Sequence, residues 1–209
     1  MQIVCLANSW KEGGRCVAGI DTAKGRWVRP VSKLKGGALS VLECSASDGA
    51  VSRQVQPLDI VDIGTSTPSP EQGQPENHAL GSTSWRVTGQ VTASSLLKFA
   101  VDKPQLLYGT TDRVADTDVR HVQASLVLVH VKAPRFEVRS RINGSPQLRV
   151  HFNHHGVDYD LSVTDGQDWV RAARNSPDRY SHGNWLFTIS LGVSFRGYRY
   201  KLAACGLEL

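Results

Sequence analysis

Short apolar runs separated by turn residues dominate the chain, the pattern of strands rather than of long helices. In the first part, residues 2–8 (QIVCLAN) and 15–21 (RCVAGID) read as strands joined by a polar KEGG loop. AKG at 23–25 makes a turn, RWVRPV follows as a strand, and LDIVDI (58–63) is another. Adjacent β-branched Ile60 and Val61 suggest burial on both faces there. Residues 64–84 hold three prolines among small polar residues and read as a long surface loop. WRVTGQV (85–91) resumes strand character, and Leu96, Leu97 and Ala100 recur at helical spacing, predicting a helix near 94–103 that Pro104 limits.

The second part alternates more cleanly. SLVLVHV (125–131) reads as a buried strand, and FEVRSRI (136–142) as a strand after Pro134. Residues 148–165 read as a hairpin about His155-Gly156. Thr164 or Asp165 can cap a helix running to about Arg174, with Trp169, Val170 and Ala173 as its apolar stripe. Two strands follow, 185–191 and 198–206. Strand, strand, strand, helix, strand, strand is the order of an OB-fold, a five-stranded barrel that binds oligonucleotides. The expected class is mainly β with minor α: two OB-like barrels with one or two short helices. The expected division is 1–118, carrying the long loop and the first helix, and 119–209.

Composition adds little beyond a permission. Of 209 residues, Lys and Arg number 24 against 19 Asp and Glu, a net charge of +5 that allows a nucleic-acid partner without demanding one. No apolar run is long enough for a membrane helix and no leader pattern opens the chain, so a cytoplasmic protein is expected. Cys5, Cys16, Cys44 and Cys205 are scattered without a CxxC pair, which removes the usual zinc spacing and points to free thiols.

Several stretches look familiar. IVCLANS at the start, GRCVAGID (14–21), WVRPVS (27–32), QPENH (74–78), LSVTD (161–165) and SLGVSFRGYRYKLAA (190–204) resemble the blocks of the bacterial dual-OB-domain family. The resemblance spans nearly the whole chain and contains no catalytic signature. It implies two OB units and a nucleic-acid or nucleotide ligand, in a module associated with prokaryotic conflict and defence systems, where protein partners are also expected.

The residues themselves suggest where a ligand would sit. Trp27 and Arg29 share a strand face and offer a stacking surface and a phosphate partner, or else a core tryptophan and an internal ion pair. Pro30 holds Arg29 in extended geometry. In QPENH, Gln74 or Asn77 can read an adenine edge, Glu76 can accept from an exocyclic amine, and Glu76 with His78 can form an acid–base pair. The alternative is a loop satisfying its own backbone. Thr164 and Asp165 either cap the helix or face a ligand at the barrel mouth. Phe195, between Gly192 and Gly197, is placed to stack. Tyr198 and Tyr200 are expected inward, with Arg199 and Lys201 toward solvent or phosphate. Arg135, Arg139 and Arg141 form a basic stripe on one strand face, able to follow a phosphate backbone or simply to be solvated.

A metal is not expected from His151, His154 and His155, because the hairpin turn separates them. No G-x-S-x-G elbow and no phosphate-cradling glycine loop before a helix is present, and no cofactor is expected. The leading expectation is recognition of single-stranded or terminal nucleic acid. The alternative is a small enzyme or sensor of a nucleotide or modified base, using Glu76, His78 or Asp165.

Overall fold

The computed structural model describes every residue except 12–13, 34–36, 82–83 and 141–143. The first sheet contains β1 (Gln2–Lys11), β2 (Gly14–Asp21), β3 (Trp27–Val31), β4 (Ser45–Asp48), β5 (Val51–Gln54), β6 (Asp59–Asp62), β7 (Ser66–Pro68), β8 (Asn77–Leu80) and β9 (Trp85–Gln90). The second contains β10 (Arg113–Ala115), β11 (Leu126–Lys132), β12 (Arg135–Ser140), β13 (Pro146–His154), β14 (Val157–Val163), β15 (Asn184–Phe195) and β16 (Tyr198–Glu208), with helix α1 (Asp168–Asn175) between β14 and β15.

Both sheets curl into the same barrel. In the second, the order β11-β15-β16-β14-β13-β12 ends on two strands that are consecutive in the chain. Together they make one bent first strand, hinged at Ala133 with φ +46°. In the first, β6-β1-β2-β3-β8-β7 closes the same way, through a bend at Gly64 with φ +66°. In each barrel the third and fifth strands pair in parallel, β3 with β8 and β14 with β16. This is OB topology twice over. In the first barrel a β4–β5 hairpin, paired with β9, lies between the third and fourth strands, where the second has α1.

The continuous apolar runs are explained by a third core between the barrels. Along β1, Ile3 and Cys5 enter the first barrel while Val4 and Leu6 face outward. That outer face packs on Leu126 and Leu128 of β11, Leu186 of β15 and Leu207 of β16. Alternation by two therefore sends one side chain into a barrel and the next into the joint, so neither face of β1 can be polar. Thr188 Oγ1 donates to the Leu6 carbonyl at 2.7 Å across this joint.

Some expectations need correction. The helix expected near 94–103 is a 3-10 turn, Ala93–Phe99, in which Leu96 is buried and Leu97 exposed. Leu96 is its one buried residue, so the segment lacks the apolar stripe that packs an α-helix in place. The stretch 64–84 is not one loop, since it carries β7 and β8. The β16 faces are also reversed: Tyr198 is exposed, while Lys201 is buried with Nζ donating to the Thr110 carbonyl at 2.6 Å. Burial pushes the Lys201 pKa down to about 8. The His155-Gly156 turn forms as expected, with φ of +51° and +81°. Among the described residues no helix is long and apolar enough to cross a membrane. All four cysteines are free.

Candidate nucleic-acid interface

The joint between the barrels ends in a cavity of about 200 Å³. Arg29 lines it, on the third strand of the first barrel, where β3 pairs with β8 and the Arg29 N–H donates to the Glu76 carbonyl at 2.9 Å. The side chain reaches across the joint, and Nη2 donates to Ser190 Oγ of β15 at 3.2 Å. Arg29 is only 2% exposed, yet Nε and Nη1 have no hydrogen-bond partner. Among the described residues no carboxylate pairs with it. A buried cation without a counter-charge is costly, and such a group marks a place for an anion.

Its neighbours are held by both barrels. Gln74 lines the cavity and its Oε1 accepts from Asn77 Nδ2 at 3.3 Å. Asn77 is buried in β8, paired with Arg29 across the parallel ladder, and its Oδ1 has no partner. Thr164, half-buried at the end of β14, also lines the cavity, and its carbonyl accepts the Trp10 N–H at 3.2 Å. Glu76 is a staple: its carboxylate accepts Ser125 N and Oγ, each at 2.7 Å, just before β11.

Asp165 lies at the same joint, bridged by its backbone to Ser9, and its carboxylate is turned to the helix start. Oδ1 accepts Gln167 N at 3.0 Å, and Oδ2 accepts Trp169 Nε1 and Gly206 N, both at 2.9 Å. Burial pushes its pKa up, against the pull of these donors.

A groove on the second barrel shares Gly192, Val193 and Leu202 with the cavity in its lining. A bulge between Leu191 and Ser194 turns β15 outward here. Phe195, 58% exposed, stands along the groove, with Arg149 and Lys201 in its lining. Arg139 is not a free cation: it pairs with Glu137 at 2.6 Å and with Asp160 at 2.8 Å. Arg149 also holds Asp160, at 2.6 Å. The bond from Arg139 keeps the Glu137 pKa below the usual carboxylate range. Arg141 lies outside the described residues.

Trp27 and His78 lie elsewhere, in a separate groove that also includes Glu76. Trp27 packs half-buried against the joint core, and His78 Nδ1 is 3.3 Å from Ser66 Oγ. Burial lowers the His78 pKa. Asp165 lines neither that groove nor the cavity, so Glu76, His78 and Asp165 do not converge. Among the described residues no cluster of three or more His, Cys, Asp or Glu is placed to hold a metal ion.

Trp10 has no counterpart among the sequence-based candidates. It is 64% exposed at the cavity mouth, with the Arg15 guanidinium 3.6 Å beneath its ring. The only signal for it was an aromatic at the polar end of an apolar strand.

No curated protein and no solved structure matches the chain. A family model described as a dual OB-containing domain matches residues 1–205, covering both barrels and the joint between them. The chain belongs to the family of dual OB-containing domains.

Proposed function

We propose that the protein binds single-stranded nucleic acid along the groove of the second barrel, with the strand leading to the cavity at the joint. The observation that carries this is that the groove and the cavity are neighbours, sharing Gly192, Val193 and Leu202 in their linings. Their adjacency joins an exposed stacking ring, Phe195, to a buried unpaired cation, Arg29. Bases are recognised by stacking and the backbone by charge; in the groove Arg149 and Lys201 stand beside Asp160 and Asp112, so the cation without a carboxylate is Arg29. Gln74 and Thr164 supply polar contacts at the inner end, and Asn77 orients Gln74.

The test is binding of labelled single- and double-stranded DNA and RNA over a salt series and a length series. Single strands should bind, with affinity that rises with length until the groove is filled and falls steeply as salt increases. Phe195→Ala should weaken single-strand binding roughly fivefold or more, the loss of one stacked base. No binding at low salt would overturn the proposal. Equally tight binding of a mononucleotide would favour the enzyme or sensor reading instead.

A further inference from the structure

We infer that the cavity at the joint recognises the end of the strand, by taking a terminal phosphate monoester. This rests on the function proposed above and narrows it.

Four features point to an end group. The cavity, about 200 Å³, is below the roughly 300–1,000 Å³ that encloses a whole small-molecule ligand. It suits one end of something longer, and the groove gives the rest of that molecule a path. The polar groups on its wall are Arg29, Gln74, Thr164, Ser9 and Ser190, with no carboxylate among them. That set donates hydrogen bonds to an anion and repels none. Third, Arg29 lines the cavity and is otherwise closed in, at 2% exposure. An internal phosphodiester must continue in both directions, and a nearly enclosed guanidinium leaves no room for the second arm. A terminal phosphate has one arm. Its charge of about −1.5 to −2 at neutral pH also answers an unpaired buried cation better than the single charge of a diester. Nε and Nη1 of Arg29 have no acceptor and almost no open surface, so they give a phosphate their charge-assisted bonds once the guanidinium turns toward the cavity.

The mouth supplies the fourth feature. Arg15 covers one face of the Trp10 indole, and the exposure of the ring leaves the other face open to solvent. The terminal base can stack there while its phosphate enters the cavity. Arg15 also fixes the ring: its Nη1 donates to the Asn8 carbonyl at 3.4 Å.

The experiment compares one single-stranded oligonucleotide in three forms: 5′-phosphorylated, 3′-phosphorylated and hydroxyl at both ends. One phosphorylated form should bind the wild-type protein about tenfold or more tightly than the hydroxyl form, as charge-assisted bonds to a buried group would give. Which form gains identifies the end that is read. Arg29→Met should bind all three alike, and Trp10→Ala should weaken all three. If Arg29→Met does not fold, Ser190→Ala replaces it and should shrink the preference. Equal binding of the three forms by the wild-type protein overturns the inference while leaving strand binding intact. A preference that survives both Arg29→Met and Ser190→Ala overturns it as well. Failure of every form to bind at low salt overturns strand binding itself, and the inference with it.

Discussion

Arg29 and Arg139 both project from barrel strands, and the protein treats their charges in opposite ways. Arg139 is exposed on β12 and has two carboxylates, Glu137 and Asp160, within 2.8 Å. Arg29 is buried at the joint with one hydroxyl and no carboxylate. Water can screen an exposed charge, so Arg139 needs its partners least. Arg29 needs a partner most and lacks one. Under the proposed function, a ligand would offset the cost of leaving it so. The number of arginines on a strand therefore says little about which are available; the local count of acids says more.

Asp165 sharpens the contrast, since it is buried at the same joint at 4% exposure. Its oxygens are satisfied by neutral donors of its own loop, helix and β16. Asp165→Ala should therefore be the most damaging change, destabilising the protein by about 2–4 kcal/mol in a urea titration, because it orphans several buried donors together. A loss under about 1 kcal/mol would mean that those bonds do not hold the joint. Arg29→Met should behave oppositely. Exchanging an unpaired buried cation for an apolar side chain of similar length should leave stability unchanged or raise it by about 1 kcal/mol. Binding of a single strand should fall at the same time. Destabilisation above about 2 kcal/mol would make Arg29 a structural residue, and the contrast with Asp165 would collapse.

The strands of both barrels were legible because their side chains alternate strictly between a barrel interior and either solvent or the joint. β4, β5, β7, β8 and β10 were not. Segments such as SASD and VSRQ are polar and pair through their backbones, so they leave no hydrophobic signature. The second barrel was readable as an OB unit because α1 sits where that order requires it; the first has a hairpin there. Arg29 stood out as a candidate because Pro30 fixes its backbone and no acid lies two residues away in sequence. The reading of β16 failed for a physical reason. From Lys201 onward the strand is packed on both faces, so alternation no longer separates inside from outside. The satisfied state of Asp165 was invisible, because its partners Trp169 and Gly206 come from separate elements. The placing of Trp10 at the cavity mouth was not legible, because its contacts with Thr164 and Arg15 form only in the assembled joint.

The smallest effect should come from the stripe. Arg139→Ala removes a full positive charge from a surface that looks suited to a phosphate backbone. The charge it removes is already answered by Glu137 and Asp160, and a phosphate would have to displace one of them. Exposed pairs of this kind are worth about 0–1 kcal/mol. Single-strand affinity should thus change less than about twofold, and the slope of log affinity against log salt by well under one phosphate's worth. Titrations of wild type and Arg139→Ala over the same salt range measure both. A slope reduced by a whole phosphate equivalent would show that Arg139 releases its acids to hold the strand. The two arginines would then differ only in where along the ligand they act.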